Sequence, residues 1–187
     1  MSRLTRGVDL IGMPLVSLEN ATTLGEVKDL LVDPSRSRII GFTVRGHGLL
    51  SSPLIGILAG EDVHAIGRDA LMVTSESSLV REREGMGGAL GDQQDVVGKE
   101  VVTRSGSSLG SVNDVILEID GPAADVVGYE ISRPDGKTVI VPAPGGVPMS
   151  GAALLLPDEV EQEVAANGLA GFRDVLNRVR MAHLADT

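Results

Sequence analysis

The chain has 187 residues, enough for one or two domains, and its 16 basic and 26 acidic residues leave a formal charge of −10. It has no cysteine and only 2% aromatic residues, which excludes a disulfide framework, cysteine–zinc sites and thiol catalysis and argues against aromatic platforms for stacked bases. The acidic balance speaks against direct nucleic-acid binding, which needs cations to displace counterions from phosphates.

Along the chain, the opening Met1-Ser2-Arg3-Leu4-Thr5-Arg6 is basic, but Asp9 follows and no apolar core with a small-residue cleavage site comes after it, so no targeting segment is expected. Pro14 to Leu18 reads as a short strand ended by Glu19-Asn20-Ala21. A second strand runs from about Leu24 to Val32 and stops at Asp33-Pro34-Ser35, where Asp and Pro favour a turn. A third alternates, with Ile40, Phe42 and Val44 on one face and Thr43 and Arg45 on the other, the period of a half-buried antiparallel strand. The most apolar stretch, Leu49 to Ala59, is broken by Ser51, Ser52, Pro53 and Gly56 and is too short to span a bilayer, which takes about 20 residues. It reads as a buried strand or as a docking loop whose candidate interface residues are Leu49, Leu50, Leu54 and Ile55. Glu61 to Gly67 then leads into Ala70-Leu71-Met72-Val73. Residues 81–95 hold a Gly85-Met86-Gly87-Gly88 run without a preceding strand, a Lys-Ser/Thr ending or a following helix, so a flexible linker is expected rather than a phosphate loop.

At Val96 the pattern begins again. Ile11-Gly12 matches Val97-Gly98, Leu24-Gly25-Glu26-Val27-Lys28-Asp29 matches Leu109-Gly110-Ser111-Val112-Asn113-Asp114, and Ile40-Gly41-Phe42-Thr43-Val44 matches Val127-Gly128-Tyr129-Glu130-Ile131. Lys137 to Pro142 and Ala152 to Leu156 supply the later strands of the second copy. Each copy holds roughly five or six short strands. So small a sheet exposes its edges unless it curls shut, and its core is marginal alone, so the copies should pack on each other or on a partner. The tail changes period. Pro157-Asp158-Glu159 starts a helix to about Ala166, Asn167-Gly168 stops it, and a second helix runs from Leu169 to about Ala185. Leu169, Phe172, Leu176, Val179 and His183 form a short stripe that serves either packing onto the chain's own barrels or dimerisation.

With these blocks the chain resembles the PRC-barrel family. The likeness is carried by Leu10-Ile11-Gly12, Pro14-Leu15-Val16, the two Gly-x-Val-x-Asp blocks, the Ile/Val-Gly-aromatic strands and the run from Glu61 to Val73, and covers roughly 10–80 and 96–157. The second copy departs from it between Ala143 and Gly151, where a Gly/Pro-rich loop stands. The resemblance implies small β-barrels whose common theme is protein binding and assembly, with no shared catalytic motif.

The expectation is a mainly β protein: two tandem small antiparallel β-barrels at 8–80 and 96–157, a linker at 81–95 and C-terminal α-helices at 158–187. Asp29 and Asp114 lie, by alternation, on the apolar face of Val27 and Leu31 and of Val112 and Ile116. Their recurrence favours a structural role over a ligand site, with each carboxylate accepting backbone N–H groups at a bulge or turn. Gly25, Gly41, Gly110 and Gly128 are read as backbone-geometry positions. His47, His64 and His183 show no metal-ligand spacing, and no nucleophile elbow is present. No catalytic, cofactor or metal residue is assigned, and no cofactor. The expected function is that of a non-enzymatic, cytoplasmic adaptor without a transmembrane segment, working through a protein partner or homo-oligomerisation, with Leu169, Phe172, Leu176 and Val179 as further interface candidates. A ribosome-maturation-like factor that binds a ribosomal protein, and a small-ligand binder or enzyme, are the alternatives.

Overall fold

The structure, a computed structural model, describes residues 2–46, 56–80, 96–145, 153–162 and 168–185. The chain is mainly β, with one long C-terminal helix. The strands are β1 (Arg3–Arg6), β2 (Pro14–Ser17), β3 (Thr23–Asp33), β4 (Arg38–Arg45), β5 (Gly56–Ala59), β6 (Val63–Ile66), β7 (Leu71–Val73), β8 (Leu79–Val80), β9 (Glu100–Thr103), β10 (Ser108–Asp120), β11 (Ala123–Ser132), β12 (Thr138–Pro142) and β13 (Ala153–Leu156). Helix α1 spans Gly168–Ala185.

The repeat in the sequence is a repeat of topology. The first copy runs β7-β2-β3-β4-β5 across its sheet and the second β13-β9-β10-β11-β12. Matching residues take matching places: Phe42 and Tyr129 are both fully buried, each one register step from the glycine, Gly41 or Gly128, that precedes it. The Tyr129 hydroxyl has no hydrogen-bond partner among the described residues, and burial pushes its pKa up.

Three expectations need correction. The sheets are not wholly antiparallel, because β2 pairs with β7 and β9 with β13 in parallel. In the second copy β9, β10, β11 and β12 alternate in direction along their pairings, and β13 lies against β9 in the same sense. In the first copy the 3-10 turn Gly60–Asp62 passes the chain from β5 to β6 without a hairpin, and β7 then returns in the sense of β2. Nor are there two separately closed sheets among the described residues. One curled, open sheet runs from β13 to β6 through a single bridge, Arg38 opposite Asp125, between β4 and β11. Finally, the described part of the expected first tail helix is one 3-10 turn, Asp158–Glu161.

The copies are also locked together elsewhere. β1 pairs with β10, so the first strand of the chain belongs to the sheet of the second copy. The Val126 N–H donates to the Ser37 carbonyl at 2.7 Å, and the Ile66 N–H to the Gly121 carbonyl at 3.1 Å. Each copy thus receives a β-hairpin turn of the other, and the buried aliphatic core is continuous from Leu15 and Leu71 to Val101 and Leu156. A second, smaller core forms where Phe172, Val175 and Leu176 of α1 cover Ile116, Val127 and Ile140. Leu169 and Val179 pack partly buried beside it. The described side chains of that stripe, Leu169 to Val179, therefore pack on the chain's own sheet. The apolar loop with Leu49, Leu50, Leu54 and Ile55 lies outside the described residues, apart from its end in β5.

Candidate functional site

A hollow of about 360 Å³ opens on the seam between the copies, and residues of both line it. Its walls come from two repeat-equivalent turns. Gly12 and Gly98 take φ values of +81° and +86°, a region that glycine enters without a side-chain clash. The Gly12 N–H donates to the Val27 carbonyl at 2.8 Å, while Val27 donates back to Met13 at 2.9 Å. Gly98 and Val112 repeat the arrangement at 2.7 and 2.9 Å, with Lys99 in the place of Met13. Each turn is thereby clamped to the long strand of its own copy, and the residue before the glycine stands out from the surface. Ile11 is 39% exposed and Val97 55%. Val8, 59% exposed, adds a third aliphatic side chain from the 3-10 turn Gly7–Leu10.

The floor is made by two β-bulges. Pairing shifts register between Val27 and Asp29 in β3 and between Val112 and Asp114 in β10. The extra residue breaks strict alternation, so the face predicted for Asp29 is wrong: Val27 and Leu31 are buried and Asp29 is exposed. Both carboxylates accept the N–H of the next residue, Leu30 or Val115, at 2.8 Å. Asp114 is buried and also accepts the Val8 N–H at 3.2 Å. Gly7 permits this approach, since a Cβ there would stand 2.8 Å from Asp114 Oδ1 and 2.7 Å from Val115 Cγ2. Burial raises the pKa of Asp114 above its ordinary 3.8. The N–H groups of Val8 and Val115 oppose that shift, and the negative charges of Glu130 and Asp9 add to it.

Beside Asp114 lies a polar cluster that the sequence did not announce. Glu130 is 7% exposed, although alternation put it on a polar face. It is covered because β1 docks on β10 and brings Arg6 Nε to 2.8 Å from Glu130 Oε2, while Asn113 Nδ2 donates to Oε1 at 2.8 Å. A buried carboxylate needs such partners. No local pattern points to the pair, because it depends on a strand pairing across more than 100 residues.

The glycines divide by cause. Gly110 has φ +121°, and a Cβ there would sit 2.1 Å from the Ser132 carbonyl. Gly41 and Gly128 are instead places of close approach: a Cβ would lie 2.6 Å from the Leu58 carbonyl in one case, and 2.5 Å from Phe172 Cζ and 2.8 Å from the Val141 carbonyl in the other. Gly25 is buried opposite Leu15.

A larger hollow, about 470 Å³, opens between Ile39, Phe42 and Val63 of the first copy and Pro122 to Ala124 of the second, with Arg36 and Arg38 among its lining residues. Those cations already face carboxylates, Arg36 with Asp33 at 3.7 Å and Arg38 with Asp125 at 4.0 Å. Among the described residues no cluster of three or more His, Asp and Glu side chains is placed to hold a metal ion, and His64 is exposed on β6. Within the same residues no helix is long and apolar enough to cross a membrane.

The model of the PRC-barrel domain family matches residues 5–80 and 92–153, both copies of the repeat. No curated protein matches the chain.

Proposed function

Because the chain belongs to the PRC-barrel domain family, with both of its copies matched, and its seam exposes an equivalent aliphatic residue from each copy, we propose that it is a non-enzymatic cytoplasmic adaptor that binds another protein across the junction of the repeats. Each copy is read as a small barrel curled from the same five-strand order. The observation that carries the proposal is the exposure of Ile11 and Val97, with Val8 between the copies, around one hollow. Contiguous exposed aliphatic groups of this kind mark interaction surfaces. Fully burying one Val or Ile is worth about 1.5–3 kcal/mol, so this trio forms the anchor. The buried carboxylate of the floor, Asp114, is engaged by the Val8 and Val115 N–H groups, a use that supports a framework role for it.

Benzoylphenylalanine placed at Val97, with a control at the exposed Met181 on α1, tests the reading by photo-crosslinking in cells. A discrete adduct with a second protein from Val97 and none from Met181 is expected. Adducts from Met181 with none from Val97 would contradict it.

A further inference from the structure

The hollow is chemically one-sided. Its polar side chains among the described lining residues are Asp29, Asn113 and Asp114, and no lysine or arginine stands with them. The two aspartates hold equivalent positions but differ in what they have left to offer. Asp114 is buried and accepts from Val8 and Val115. Asp29 is exposed and, among the described residues, accepts from the Leu30 N–H, one of several bonds that its two oxygens can accept. Around it stand Val8, Ile11 and Val97.

We propose that the hollow receives a segment of a partner protein in which a lysine or arginine adjoins a branched aliphatic residue. The aliphatic side chain packs among Val8, Ile11 and Val97, and the cation seats at Asp29. This rests on the adaptor reading above and names its partner. Charge favours this occupant over the others. A second copy docking by the same face would set one acidic floor against another, each on a chain of charge −10, and like charges across an interface are costly. A nucleic acid would be repelled by the same field. A basic segment is drawn in by it.

Panning a displayed random heptapeptide library on the full-length chain tests the proposal. The expected result is enrichment of peptides with Lys or Arg next to Val, Ile or Leu. Their binding should be weakened about tenfold or more by Val97→Ser, which removes an aliphatic contact without adding charge, and about fivefold by Asp29→Asn, the loss of one exposed ion pair, with less salt dependence in the second variant. Asn retains an acceptor for the Leu30 N–H, and unchanged thermal midpoints of both variants keep the comparison clean. Peptides that lose binding in Val97→Ser but show no basic preference would overturn this inference and leave the adaptor reading standing. Enriched peptides indifferent to Val97→Ser, or no enrichment, would overturn both. A dimer weakened by Val97→Ser would replace the basic segment with a second copy and overturn the proposed occupant.

Discussion

Asp33 and Asp114 are both buried carboxylates, but their surroundings push them in opposite directions. At Asp33 the hydroxyl of Ser35, together with the N–H groups of Ser35 and Arg36, holds the pKa below its ordinary 3.8. At Asp114 burial outweighs the N–H bonds and the pKa is raised. The consequences for stability carry opposite signs. Ionised Asp33 contributes stability that is present above its unfolded pKa and lost as pH falls through the folded one. Ionisation of Asp114 costs stability as pH rises from the unfolded pKa through the folded one. In acid titrations of urea stability, the deficit of Asp33→Asn relative to the parent should therefore shrink as pH drops below about 4. The parent should gain on Asp114→Asn over the same range and somewhat above it. Parallel pH profiles for the two variants would show that the two environments do not differ. The Asp29 and Asp114 blocks were plain in the sequence as a repeated Gly-x-Val-x-Asp. Their unequal burial was not, because it is set by Gly7 and Val8, which reach Asp114 from the far side of the chain.

At the scale of elements, α1 shows what periodicity can and cannot tell. The spacing of Leu169, Phe172, Leu176 and Val179 marks a helix with one apolar stripe, and that helix is present. Which surface takes the stripe depends on a complementary site elsewhere, and that site is Gly128. Phe172 sits fully buried on it, and Arg180 fixes the far end by an ion pair with Glu118 on β10, which lowers the pKa of that carboxyl. Gly128→Ala should cost about 1–3 kcal/mol by overpacking, and Phe172→Ala about 3–5 kcal/mol by leaving a cavity. The two should couple, since removing the ring relieves the clash with the new methyl group. A double-mutant cycle from urea unfolding checks this, and strict additivity would show that the ring and the glycine do not meet. Sequence also placed β2, β3 and β4 well, because their glycine and turn signals recur in both copies. Strand pairings that join distant segments, β1 with β10 and β4 with β11, leave no such trace. Hydrophobic alternation records that a strand has a buried face and is silent on its neighbours.

For the molecule as a whole, the duplication makes one unit rather than two beads. The shared sheet, the exchanged hairpin turns and the continuous core tie the copies together, and the hollow with Ile11 and Val97 exists only because they meet. A binding surface built from both halves holds its shape only if the seam is as stable as the cores on either side. Residue-resolved hydrogen exchange measures that directly, because the Val8, Ile66 and Val126 amides each donate across the seam, to Asp114, Gly121 and Ser37. Ile66 and Val126 should exchange only through global unfolding, with the same free energy as the core amides of both copies, and Val8 should be protected along with them. Seam amides that exchange through local opening, while the two copies unfold at separate midpoints, would contradict it.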